Sequence, residues 1–493
     1  MQQLPLCLQK PRPKKLHAAA YTVPGCYATT AECVALAQGA KRAGYCIYET
    51  AGAPDIAKNV AEGNNPMEAL IEIGMETPVS YLCNEQGMRG SLEWLEQVHA
   101  SGARVYGQVF NRAQGLLLAL DGVINVFDVR SPTYCKHRLE PLAQRIKSIS
   151  EPSVRKAILD EYDATQGEGD PLTLQASYNF SNMWVMDSFA PDYEPVQENC
   201  IEAVAKAAGL RPQEVLLDAL LADDGHGVVW YPYQHGYAKR NYENVRLGMT
   251  HPLTVFGNAD AGAHVAAFTD ASCTTFTLSF WGRDRTRGPK IPIEELVKSQ
   301  ARDPARLYGW SDRGTIEVGM RADVNIIDFE KLRIHRPEVA SDLPSGASRW
   351  IQKASGYVMT MCNGIVTFRD GEATGATPGR LIRNPSTEAK RAAGTALVVD
   401  KARLRALREG GRGTFDIQAG VDRSEFVAHM PVRQRYFSGP GGRELTVFLH
   451  LFAGPNLAGV LPGAGYERAP CLGPGAELAA AGPTAGQQAL TRL

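Results

Sequence analysis

From Thr29 onward the apolar and polar positions of the chain alternate between helix-like and strand-like segments. Ala31 to Arg42 reads as a helix, because Thr29 and Glu32 stand ahead of it at capping-box spacing and Gly44 supplies a stop. Tyr45 to Glu49 follows as a short buried strand. The grammar then repeats. Asn65 and Pro66 open a helix through Met75, Pro78 ends the connection, and Val79 to Cys83 reads as a strand. Ser91 caps a third helix through Ala100, Gly102 closes it, and Arg104 to Phe110 is the third strand. Helix-then-strand units joined by short loops predict a parallel sheet, and a chain of this length favours closure into a (β/α) barrel.

Leu139 to Gly209 is helix-rich around Val154 to Tyr162 and Cys200 to Ala208, with the aromatic-laden Tyr178 to Phe189 between them as strand or loop. Gly227 to Tyr231 and Thr254 to Phe256 read as two further barrel-like strands, separated by a helical stretch near Tyr242 to Met249. Arg313 to Arg383 changes to short β-like runs punctuated by glycine. Beyond Asn384, Glu388 to Arg408 is a basic, alanine-rich helix by composition, and Gly413 to Leu451 alternates apolar and polar residues enough for a few strands. Ala453 to Leu493 is a Gly/Ala/Pro-rich tail expected to be mostly disordered.

Composition narrows the function. With 493 residues, 44% of them hydrophobic, the chain can bury a sizeable core. Fifty-two basic against fifty-three acidic residues give a net charge of -1, so no global field draws it to nucleic acid or to an anionic membrane. A small-molecule partner fits better. Ten cysteines without a CxxC pair suggest neither a disulfide scaffold nor a zinc ribbon, and point to reduced thiols in a cytoplasmic setting. Met1 to Lys15 has the wrong order of charge and apolar residues for a secretory signal, and no apolar run approaches the roughly 20 residues of a membrane span.

The candidate chemistry begins where Thr254-Val255-Phe256 runs into Gly257-Asn258-Ala259-Asp260-Ala261-Gly262-Ala263-His264. A carboxylate there sits among small residues at the end of a strand, where catalytic groups of a β/α barrel collect; alone, it is equally a turn-forming Asp. Farther on the chain reads Asp312-Arg313-Gly314-Thr315-Ile316-Glu317-Val318-Gly319-Met320-Arg321-Ala322-Asp323 through Asp328, then Met361-Cys362-Asn363-Gly364-Ile365-Val366, and Pro378-Gly379-Arg380. Together these resemble the end of an amidohydrolase. Asp260-Ala261-Gly262-Ala263-His264-Val265 and Trp281-Gly282-Arg283-Asp284-Arg285 are similar, more narrowly, to the N-acyl-D-amino-acid deacylase (D-aminoacylase) branch.

The resemblance covers roughly Val23 to Arg383 and implies an α/β fold, a metal-dependent-hydrolase TIM-like (β/α) barrel with a small β-sandwich portion. On that basis residues 1–22 are an unrelated leader, 23–310 the barrel portion, 311–385 the β-sandwich portion and 386–493 an unrecognised extension. It also implies hydrolysis of a linear amide by water activated at a divalent metal, zinc in the first instance, with Asp260 as metal ligand and base. The family's His-x-His is not present in this chain, which reaches the resembling segment almost at once, as if about a third of the catalytic region were missing and the barrel incomplete.

At the ends of the first two strands the chain offers Glu49 and Cys83 as a carboxylate and a thiolate for the metal. A loop carboxylate and a packed thiol are the structural alternatives. His264 is positioned to orient substrate or to shuttle a proton, and Arg283 and Arg285, beside Trp281, to hold a substrate carboxylate; a helix-initiating His and surface salt bridges are the corresponding alternatives. His226 and His235 flank the Trp230 strand and read as aromatic packing, with lining of the same mouth as the alternative. The competing functional class is a truncated, inactive relative acting as a binding protein.

Overall fold

The computed structural model of the chain describes residues 28–51, 67–83, 85–169, 171–232, 237–257, 259, 264–343 and 346–382. The leader, the Asn65-Pro66 helix start, Asp260, His235 and the extension 386–493 lie outside the described residues.

The first helix forms where its ends are marked, whereas the third begins three residues before the expected Ser91 cap, at Met88, without a side-chain cap bond. In α1 (Thr30–Ala43) the Thr29 hydroxyl accepts the Glu32 N–H at 3.2 Å, and Gly44, at φ 143, donates its N–H to the Ala40 and Lys41 carbonyls. Helix α2 (Glu68–Glu76) buries Ala69, Leu70 and Ile73, and α3 (Met88–Ala100) buries Met88, Leu95 and Val98. Each leads into a strand: β1 (Tyr48–Thr50), β2 (Val79–Leu82) and β3 (Val105–Val109). The helix period and the strand period therefore bury one face each, and every fully buried Leu, Ile or Val contributes about 1.5–3 kcal/mol.

After β3 the chain leaves the parallel layer. β4 (Gly115–Leu118), β5 (Trp184–Val185) and β6 (Val229–Pro232) make a separate three-stranded antiparallel sheet in the order β4-β6-β5. Gly227 to Tyr231 is thus not a barrel strand, which corrects the sequence expectation. Both faces of this small sheet are covered: Leu116, Leu118, Val229 and Tyr231 join a helical core with Phe127, Tyr134, Ile158, Tyr162 and Leu217, whereas Leu117 and Trp230 join the core that contains the parallel sheet. A strand buried on both sides shows the same continuous apolar run as a parallel barrel strand.

The chain returns through a helix, Glu243–Met249, to β7 (Thr254–Phe256), which pairs in parallel with β3. The parallel sheet has the order β1-β2-β3-β7, with Tyr48, Val79 and Val105 in register and Gly107 opposite Thr254. These strands and helices make an α/β architecture of the TIM-like (β/α) type with an additional β portion. In that portion β8 (Val324–Ile327), β9 (Arg333–Ile334), β10 (Glu338–Ala340), β11 (Arg349–Ile351), β12 (Ala354–Ser355), β13 (Tyr357–Cys362), β14 (Ile365–Arg369) and β15 (Glu372–Ala373) form antiparallel pairings. Asn363-Gly364 and Asp370-Gly371 join its consecutive hairpins with all four φ angles positive, between 50 and 87°. Asn-Gly and Asp-Gly are the pairs that tolerate such a turn. No helix among the described residues is long and apolar enough to cross a membrane.

Close approach of helix to sheet depends on two glycines. A Cβ on Gly74 would stand 2.8 Å from Val105 Cγ2, and one on Gly107 would stand 2.5 Å from Cys83 Sγ and 3.3 Å from Leu95 Cδ1. Gly107→Ala is therefore expected to lower unfolding stability by about 1–3 kcal/mol in urea titrations, and Cys83→Ala in the same chain to recover part of that loss. Equal losses with and without the Cys83 change would contradict this packing.

Candidate functional site

The pleat sorts the residues of the parallel sheet into two rows. Val79, Tyr81, Val105 and Val109 are buried toward the helices, together with Cys83 just beyond β2. The other row carries Glu49, Ser80, Leu82, Tyr106, Gln108 and Val255, and along β3 it is half-buried at every second position. This row, unlike the other, carries polar groups on adjacent strands, with Glu49 and Gln108 half-buried and Ser80 buried between them.

Glu49 is held on this second face. The Tyr308 hydroxyl donates to its carboxylate, and Gln108 Nε2 donates to the same Oε1 at 3.4 Å. Burial and the neighbouring Glu49 charge raise the Tyr308 pKa, so the phenol stays a donor. Beside Glu49, the Ser80 hydroxyl is buried and has no hydrogen-bond partner among the described residues. Cys83 lies across the sheet, against Gly107 and Leu95, with its N–H on the Gln108 carbonyl at 2.8 Å. Burial pushes its thiol up to about 11, so it is a protonated core side chain rather than a thiolate. Glu49 and Cys83, expected at one metal, are on opposite faces.

Beyond Phe256 the loop carries Asp260, outside the described residues, and His264. His264 is exposed at φ 51, its carbonyl accepts the N–H groups of Ala267 and Phe268, and its ring meets Phe268 edge-on at 5.8 Å. A non-glycine residue in that backbone region marks a tight, fixed turn.

Of the two arginines near Trp281, Arg283 takes the salt-bridge alternative and Arg285 is buried. Arg283 donates Nε and Nη2 to Asp284 at 2.6 and 2.9 Å, and its remaining contacts go to the Phe329 and Leu332 carbonyls. Its fork is filled by the chain itself, so it ties the π-helical turn Thr277–Asp284 to the β portion and leaves no pair of donors for a substrate carboxylate. Arg285 is fully buried, bonded to Glu194 at 3.1 Å and Glu243 at 2.8 Å, and stacked on Trp281 at 4.6 Å. His226 pairs with Asp121 at 2.9 Å instead of packing on aromatics.

Sequence reading missed Arg112, three residues past β3. It is 1% exposed, bonds Asp270 Oδ1 through Nε and Nη2 at 3.1 and 2.8 Å, and lies over the Tyr193 ring at 4.1 Å. Gln352 of the β portion accepts from the same guanidinium at 3.3–3.4 Å and donates to the Tyr193 hydroxyl at 2.9 Å. The cluster around Arg112 thus joins the end of β3, the region between β3 and β7 that holds Tyr193 (the inserted region) and the β portion. An unremarkable "Asn-Arg" after a strand gives no signal of this, because its partners lie more than eighty residues away.

Among the described residues no three His, Cys, Asp or Glu side chains converge as a metal site. Comparison with known proteins gives three findings. The sequence profile described as "Amidohydrolase family" matches residues 55–368. A stretch of 84 residues is 31% identical to dihydroorotase of Methanothermobacter thermautotrophicus, covering 17% of this chain and 20% of that one. Two D-aminoacylase structures, one a mutant in complex with copper chloride and one described as defining a novel subset of amidohydrolases, align at 15% identity with TM-scores of 0.36 and 0.34. They cover 72% and 71% of this chain, which spans 60% and 58% of theirs.

Two outcomes follow from the site. Removing one side of the buried pair, as in Arg112→Ala, is expected to cost about 3–5 kcal/mol of stability by urea unfolding; a loss under 1 kcal/mol would contradict a buried pair. For Cys83, the unfolded thiol loses its proton near pH 9 and the folded one near 11, so the stabilisation is full below pH 9 and is lost as pH rises through 11. Between pH 8 and 10.5, Cys83→Ala should lose roughly 2 kcal/mol less than the parent chain. Parallel declines would mean an ionised Cys83.

Proposed function

Because the chain belongs to the amidohydrolase family, we propose that it hydrolyses a linear, non-peptide carbon–nitrogen bond, such as the amide of an N-acyl-D-amino acid. The observation that carries this reading is the polar face of the parallel sheet, with half-buried Glu49 and Gln108 on either side of the buried Ser80 on neighbouring strands, and Asp260 four residues past β7. Catalytic groups of such folds come from the ends of several strands. The D-aminoacylase-like substrate is supported by the wording around Asp260 and Trp281.

In the proposed reaction Asp260 takes a proton from water as the oxygen bonds the amide carbon. The carbon–nitrogen bond then breaks as the nitrogen takes that proton, the remaining acid proton passes to the released amine, and a carboxylate and an ammonium leave. Glu49, fixed by Tyr308 and Gln108, presents a carboxylate on the polar face of the sheet and attracts the ammonium as it forms. His264, exposed on the loop, is the proposed substrate-orienting group.

Zinc, implied by the resemblance, would lower the pKa of the attacking water. The described residues do not fit it on their own: Cys83 packs against Gly107 and Leu95 on the far side of the sheet, so Glu49 is the one expected ligand among them on the polar face. The proposed chemistry therefore rests on Asp260. That misfit also supports a second reading, a family relative that binds an amide ligand without turning it over.

Hydrolysis of N-acyl-D-amino acids by the full chain, with metal content measured in parallel, separates the two. The first reading expects turnover that falls by about 10²–10⁴ in Asp260→Asn. Turnover unchanged in that variant would overturn Asp260 as base. No turnover, with a ligand-dependent rise in melting temperature, would establish the second reading.

A further inference from the structure

Among the described residues the β portion has an open edge. Its four-stranded sheet has the order β15-β14-β13-β8, so β8 is an outer strand: it pairs with β13 on one side and with no strand on the other among the described residues. Asn325 and Ile326 of β8 are exposed, Ile326 at 45%. The segment leading into it carries Ile316 and Val318 at 89% and 109%, among the most exposed aliphatic side chains described. An uncovered strand edge with apolar flanks templates pairing with another strand.

The chain contains a matching strand. Glu444-Leu445-Thr446-Val447-Phe448-Leu449-His450-Leu451 is apolar at every odd position, free of Pro and Gly, and carries one charge at its start. It is the strongest strand-forming run of the region 413–451, and left exposed it would itself invite aggregation. The chain reaches residue 382 shortly after β15, in the same sheet. From there about sixty residues of tether span roughly 40 Å as a flexible coil, so reach does not limit the pairing.

We propose that Glu444–Leu451 adds to the free edge of β8 as a fifth strand of this sheet, within one molecule. Tethering sets an effective concentration in about the millimolar range, which favours the chain's own run over the same run of a second copy at ordinary protein concentrations. The pairing supplies partners for the outward N–H and C=O groups of β8 and covers Ile326. It is independent of the proposed catalytic reading, since neither Asp260 nor Glu49 takes part.

Photocrosslinking of the full chain tests it. With Ile326→p-benzoylphenylalanine, irradiation at low micromolar concentration is expected to give crosslinks within one chain that map to residues 444–451. Val447→Pro should abolish them, while Ala453→Pro, outside the run, should leave them intact. Crosslinks joining two chains, crosslinks mapping elsewhere, or none at all would overturn the proposal. Amide exchange gives a readout that does not depend on the probe. The β8 amides not bonded to β13 should be protected in the parent chain and exchange at least tenfold faster in Val447→Pro; equal rates would also overturn it.

Discussion

Successive side chains of a strand point to opposite faces, and in the sheet β1-β2-β3-β7 that alternation decides which residues meet a ligand and which meet the helices. Because Glu49 is in register with Ser80, Cys83 at the odd position beyond it falls on the far side. Packing enforces the same division: Gly107 makes room for the Cys83 sulfur, Leu95 closes over it, and the thiol stays neutral. On the opposite row the absence of such packing leaves Gln108 and Glu49 half-buried, which is what access by a substrate requires.

The parts around that sheet are tied to it by desolvated charge. Arg112 with Asp270, and Arg285 with Glu194, are each almost wholly buried, and each crosses between segments far apart in sequence. Such pairs contribute little net stability compared with apolar packing, but breaking one leaves an uncompensated charge, so they penalise any other arrangement of the same pieces. Around them Trp184, Trp230, Tyr193, Tyr237, Tyr242, Phe276, Phe280 and Trp281 stack mostly edge-to-face, filling the seam between the parallel sheet and the inserted region. The polar face of the sheet thus belongs to a fixed frame.

Much of this frame was legible in the chain. Thr29, Gly44 and Gly102 mark ends that the structure keeps, and the strands expected at Val79, Arg104 and Thr254 form within a residue or so of those bounds. Local signals suffice there, because caps and apolar period act over a few residues. The strand after Gly227 reads as a barrel strand from sequence because burial on both faces erases the difference between parallel and antiparallel partners. The site was less legible for a related reason. Which face Cys83 takes depends on its register with Gly107, and what Arg283 and Arg285 hold depends on carbonyls near 330 and on Glu194, neither of which is encoded nearby. Family membership was readable from the motifs near Asp260 and Asp312–Asp323, since these are contiguous in the chain.

The central claim is that the ligand-accessible face of the parallel sheet is the one bearing Glu49 and Gln108, with Cys83 behind it. A crystal of the chain grown with zinc, with data collected at the zinc edge, tests this directly through the anomalous difference map. The account predicts that any protein-bound peak near the sheet lies on the Glu49 side, with none in contact with Cys83. A peak about 2.3 Å from Cys83 Sγ, the distance of a zinc–thiolate bond, would contradict it.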